Sequence, residues 1–106
     1  MNYFIGLEKS WLQKCPSYKH IMRLADSLTV DETKESYFHL NQMDNRPSQK
    51  WINIEFKFNR QSVTDMHFYA LRDWLEKSKS PKFDDLQKVF EKLKIMTCVL
   101  CEVSVN

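Results

Sequence analysis

Hydrophobic positions along the chain follow two different periods. A helical period runs through Ile21, Leu24, Ala25 and Leu28, at i, i+3, i+4 and i+7. Ser17 stands in front of this stripe and can cap a helix over roughly residues 18–29, while Pro16 cuts it off from what precedes. Val63, Met66, Ala70, Leu71, Trp74 and Leu75 make a second stripe, over residues 63–78, with Ser62 as cap and Asp65 at the positive end of the dipole. Phe83, Leu86, Phe90 and Leu93 make a third. Ser80-Pro81 supplies its start, Ser as cap and Pro at the first helical position, with Asp84 and Asp85 in the first turn. Near the N-terminus, Phe4, Leu7, Trp11 and Leu12 share helical spacing within residues 2–14, and a short strand over 3–7 is the rival reading.

The other period is two. Over residues 50–59, Ile52, Ile54, Phe56 and Phe58 alternate with Trp51, Asn53, Glu55 and Lys57, which predicts a strand. A shorter strand is expected over 36–42, with Phe38 and Leu40 on one face. The turn chemistry of Met43-Asp44-Asn45-Arg46-Pro47-Ser48-Gln49 would join the two as a hairpin. Residues 30–35 are polar and acidic and read as a loop. Residues 95–105 are rich in β-branched side chains and read as a last, well-covered strand. The predicted order is α-α-β-β-α-α-β. The expected fold is one α+β domain spanning residues 1–106, a two-layer sandwich of a three-stranded antiparallel sheet against about four helices. Phe56 falls in its core.

Composition narrows the chemistry. Gly6 is the only glycine among 106 residues. A phosphate-binding loop, a dinucleotide fingerprint and a nucleophile elbow each need at least two, so none can be built. Sixteen Lys and Arg against fourteen Asp and Glu give a net charge of +2, too balanced for a dedicated duplex-DNA binder. The surplus sits in residues 36–60, where Arg46, Lys50, Lys57 and Arg60 face only Asp44 and Glu55. No apolar stretch reaches the length of a membrane span. The first residues lack the pattern of a signal peptide. Cys15, Cys98 and Cys101 are sparse and odd in number. A cytoplasmic protein with reduced, mostly buried thiols is the expectation.

Catalytic sets are hard to assemble. Cys98-Val99-Leu100-Cys101 has the spacing of a redox or zinc pair, but on a strand the two side chains point to opposite faces. His20, His39 and His67 are scattered, with no nucleophile set beside them. Asp84-Asp85 is explained by a helix start. No enzyme activity, metal or cofactor is expected.

The remaining candidate is the outer face of the expected sheet, where Tyr37, His39, Arg46, Trp51 and Lys57 would place rings beside positive charge. Such a face is plain core if a helix covers it, an interface for a protein, or a platform for nucleic acid. No motif points to a known family. The expected function is a small non-enzymatic protein-binding module, in its most specific form a stoichiometric inhibitor such as a bacterial toxin-immunity protein or a phage-encoded antagonist. A nucleic-acid-associated regulator, using RNA or DNA contacts on the hairpin, is the second reading.

Overall fold

The computed structural model describes residues 9–47, 49–58 and 62–95. Among these residues every regular element is a helix: α1 (Lys9–Leu12), α2 (Tyr18–Ser27), α3 (Val30–Met43), α4 (Trp51–Phe58), α5 (Val63–Lys77) and α6 (Phe83–Lys92). The α+β sandwich and its three-stranded antiparallel sheet are therefore overturned. Residues 36–42 lie inside α3, and most of the expected second strand is α4. The expected last strand and its Cys-x-x-Cys lie, beyond Ile95, outside the described residues.

The helical stripes read from the sequence are the ones that pack. Ser17 caps α2 by a reciprocal pair: its hydroxyl accepts from the His20 backbone N–H at 3.3 Å, and its own N–H donates to His20 Nδ1 at 3.0 Å. Thr29 and Glu32 cap α3 in the same manner, at 3.1 and 2.9 Å. Thus the expected loop at 30–35 is the start of a helix, and Asp31 and Glu32 stand in its first turn at the positive end. Ser62 caps α5. The last helix begins at Phe83, past Ser80-Pro81. Lys82 is its N-cap, and the Asp85 carboxylate accepts the Lys82 N–H at 3.1 Å.

α3 and α6 end alike. The Arg46 N–H reaches the Asn41 carbonyl at 2.9 Å, and the Ile95 N–H reaches the Phe90 carbonyl at 2.8 Å. Each closure needs a left-handed residue, and Asn45 (φ 55°) and Lys94 (φ 60°) supply it where glycine is usual. Scarcity of glycine thus leaves a visible mark on the backbone.

α5 is the central helix, packed against α2, α3 and α4, while α6 closes the other side against α3 and α1. One core cluster joins Ile21, Leu24, Leu40, Leu71, Trp74, Phe83, Leu86 and Phe90. A second joins Tyr37, Trp51, Ile54, Met66 and Ala70. This second cluster explains why two strands were expected where two helices form. The buried stripe of α3 is Thr33, Ser36, Tyr37, Leu40 and Asn41, a helical i, i+3, i+4, i+7, i+8 series in which three members are polar. In α4 the inward positions are Trp51 and Ile54, with Phe58 partly buried, at i, i+3 and i+7. Ile52 and Phe56 belong to the apolar alternation but not to this stripe. They are turned outward, so Phe56 is a surface residue and not a core one.

Candidate functional site

α4 is an eight-residue helix held in register by a polar chain on its inner side. The Tyr37 hydroxyl donates to Asp73 Oδ2 at 2.8 Å, and Asp73 Oδ1 pairs with Lys77 at 2.7 Å. The Gln49 backbone N–H leans on the Tyr37 oxygen at 3.4 Å, and its side-chain amide donates to the Tyr69 hydroxyl at 3.1 Å. Lys57 donates to the same hydroxyl at 2.7 Å, with its ammonium 4.5 Å from the Tyr69 ring centre. Burial first, and the Asp73 hydrogen bond second, push the Tyr37 phenol up to about 12. The Lys57 and Gln49 donors pull the Tyr69 phenol below its ordinary value. Tyr37 therefore stays a neutral donor across the ordinary pH range, and the chain links α3, α4 and α5 without a break.

Of the five residues picked from sequence, three meet here. Tyr37 (1% exposed) and Trp51 (5%) are packed inside, their ring centres 6.4 Å apart, and Lys57 is tied to Tyr69 at the edge. Arg46 supports the same region through Asn41 Oδ1 at 2.6 Å, while Asn41 Nδ2 donates to the Tyr37 carbonyl at 3.0 Å. His39 is elsewhere. It lies 4.0 Å from Glu35 and lines a separate cleft between α3 and α6 with Lys88 and Lys92. The hairpin that was to display these rings is replaced by two helices that bury them.

With that chain clamping its inner side, α4 presents Phe56 (82% exposed) and Ile52 (63%) to solvent, one helical turn apart. Val63, at the start of α5, is half-exposed as well. A groove of about 280 Å³ lies between α3, α4 and α5, lined by Val30, Glu55, Phe58, Ser62, Val63 and Met66. Glu55 is the one charged residue of the lining. Exposed apolar side chains on the same helix as a mostly apolar groove are the kind of surface that can receive another molecule. Alternation concealed it: only a helical count over 51–58, which takes 51, 54 and 58 inward, leaves 52 and 56 outside.

Other chemistry is thin. Among the described residues, no three His, Cys, Asp or Glu side chains gather as a metal-holding group. Cys15 is exposed, with Pro16 rather than Cys15 turned inward before α2, while Cys98 and Cys101, the other thiols expected to be buried, lie outside the described residues. His67 is 1% exposed, its Nδ1 3.2 Å from the Ala25 carbonyl, and burial lowers its pKa. It is a core residue joining α2 to α5. No helix of the described residues is long and apolar enough to cross a membrane. No family model matches the chain, and no curated protein or solved structure matches it either.

Proposed function

We propose that the chain is a small, cytoplasmic, non-enzymatic protein-binding module that acts stoichiometrically, as an inhibitor of the protein it holds, and that the outer face of α4 makes the contact. The observation that carries this reading is Phe56, 82% exposed on a helix whose inner side is fixed by hydrogen bonds. Leaving a phenylalanine in water forfeits roughly 2 kcal/mol of burial, and a partner that covers it recovers that. Large aromatic side chains at the centre of a desolvated patch carry most of an interface's binding energy. Tyr37, Trp51 and Arg46 then support the face from within, and Lys57 anchors its edge, rather than touching the partner.

The test compares the wild-type chain with Phe56→Asp and Ile52→Asp as bait in an extract of its own cells, followed by calorimetry with the purified partner. Both variants change exposed positions, so both should keep the helical circular dichroism of the wild type. The expected result is a partner retained by the wild type in a 1:1 complex, lost from both variants, and inhibited in proportion to the amount bound. Association that both variants keep, or that nuclease treatment abolishes, would refute the assignment.

A further inference from the structure

We propose that His20 is a pH-operated latch, fastening the α1 segment to the start of α2 while its ring is neutral and letting that segment go when the ring takes up a proton.

Three contacts meet on this one ring. Its Nδ1 accepts the Ser17 backbone N–H at 3.0 Å and stands 2.9 Å from the Ser17 hydroxyl, which in turn accepts the His20 N–H at 3.3 Å. The ring packs edge-on with Trp11 of α1, centres 6.3 Å apart, and with Phe83 at the start of α6, centres 5.1 Å apart. Trp11 and Phe83 also meet each other at 5.9 Å, so the three rings close a triangle. α1 is four residues long, too short to be stable as a helix alone, and it depends on such contacts. It is also tied by the Phe83 N–H, which donates to the Lys14 carbonyl at 3.0 Å, and by the Lys14 ammonium, 4.3 Å from the Trp11 ring centre.

Glu or Gln fills the third position of the usual reciprocal cap, and either keeps an acceptor oxygen at any pH. A histidine there accepts only through an unprotonated nitrogen. Once Nδ1 carries a proton, it faces the Ser17 N–H donor to donor, and that pair must open. The ring then turns toward the Ser17 hydroxyl or out to water, and turning disturbs its packing on Trp11 and Phe83.

The charges on the surrounding elements do not offset the added proton. Lys19 and Arg23 on α2, Lys14 after α1, Lys82 before α6 and Arg72 on α5 are all cationic. The carboxylates of these elements nearest in the fold have other partners: Asp84 pairs with Lys88 at 3.0 Å, Asp85 accepts the Lys82 N–H at 3.1 Å, and Glu76 accepts the Tyr18 hydroxyl at 2.8 Å. No carboxylate of the described residues forms an ion pair with His20. Burial first, then the Arg23 and Lys19 charges, hold the ring below its ordinary value of 6.5. The docked segment therefore prefers the neutral ring. Docking is complete above about pH 6.5 and is lost as pH falls through and below that value, the docked-to-free ratio dropping by up to about tenfold per pH unit.

The test follows fluorinated tryptophan in the full chain by fluorine NMR from about pH 7.5 to about pH 5, alongside heteronuclear spectra of the His20 ring. Trp11→Phe assigns the Trp11 line. That line should move toward its solvent-exposed position with the same midpoint as the His20 ring, below 6.5, while the lines of the buried Trp51 and Trp74 stay in place. Neutral His20 should carry its proton on Nε2. His20→Gln keeps a cap acceptor at every pH, and His20→Phe keeps a ring between Trp11 and Phe83. Both should flatten the Trp11 profile, whichever of them leaves Trp11 docked. A Trp11 line that stays in place while His20 titrates would overturn the inference. So would a His20 midpoint at or above 6.5, a neutral ring protonated on Nδ1, or a Trp11 transition that persists in either variant. Movement of all the tryptophan lines together would be acid unfolding of the whole chain and would overturn it as well.

Discussion

Two neighbouring substitutions in α4 separate its helical register from the alternation seen in the sequence. Ile54 is fully buried, and Ile54→Ala removes three carbons from the cluster around Tyr37, Trp51, Met66 and Ala70. At about 0.8 kcal/mol per buried methylene, transfer alone gives roughly 2.4 kcal/mol. The cavity left behind raises this, so about 2–5 kcal/mol is expected. Phe56→Ala deletes a larger side chain, but one that is 82% exposed, so its cost should stay within about 0.5 kcal/mol. Urea unfolding followed by far-UV circular dichroism measures both, with the slope checked for constancy. In thermal melts the Ile54 variant should drop by at least roughly 10–20 °C and the Phe56 variant by almost nothing. On a strand, Ile54 and Phe56 would share one face and both truncations would be costly. A Phe56→Ala loss comparable to that of Ile54→Ala would refute the helical register.

Tyr37→Phe removes a hydroxyl that both donates to Asp73 and accepts from Gln49, and should cost about 1–2 kcal/mol in the same assay. Lys94→Gly relieves a left-handed residue at the end of α6 and should stabilise by about 0.5–1 kcal/mol, whereas Lys94→Ala should not. Thr29→Ala opens the cap of α3 and should cost about 1 kcal/mol, read as a shift of the urea midpoint. Burial holds His67 below its unfolded value of about 6.5, so the native state favours the neutral ring. Stability from this group is full above about pH 6.5 and is lost as pH falls through and below that value. The loss should approach 1.4 kcal/mol per pH unit per histidine at most, and His67→Leu should flatten the urea-midpoint profile over that range. A profile that His67→Leu leaves unchanged would place the acid sensitivity elsewhere, with His20 the next group to test. Its pKa is also lowered, mainly by burial, and its Nδ1 accepts the Ser17 N–H only while unprotonated.

How much of this was legible depended on whether the buried face of each helix was apolar. The inward positions of α2, α5 and α6 are mostly hydrophobic, so their period located all three, and Ser17 and Ser62 marked the starts of α2 and α5, whereas α6 starts after Lys82 and not at Ser80-Pro81. α3 buries Thr33, Ser36 and Asn41 beside Tyr37 and Leu40, so its stripe is invisible to a count of apolar residues. What such a count does see there, Phe38 and Leu40, mimics alternation. α4 carries more hydrophobic residues than its inner face needs, and the surplus, Ile52 and Phe56, completed a false period of two. That surplus is also the surface on which the proposed docking rests. Tyr37, Trp51 and Lys57 lie close together, with Arg46 behind them, but Tyr37 and Trp51 point inward, since aromatic and basic residues close in sequence do not reveal which side of a helix they occupy. His39 was included by its place in the expected strand, and helical geometry carries it to the α3–α6 side.

The exposure of α4's two isoleucines tests the docking face at its root. Methyl NMR with a soluble paramagnetic agent reads both in one spectrum. The Ile52 methyl groups should relax strongly and those of Ile54 should be protected, like those of Ile21 in the core. Equal relaxation of Ile52 and Ile54, as two residues on one face of a strand would give, would contradict this.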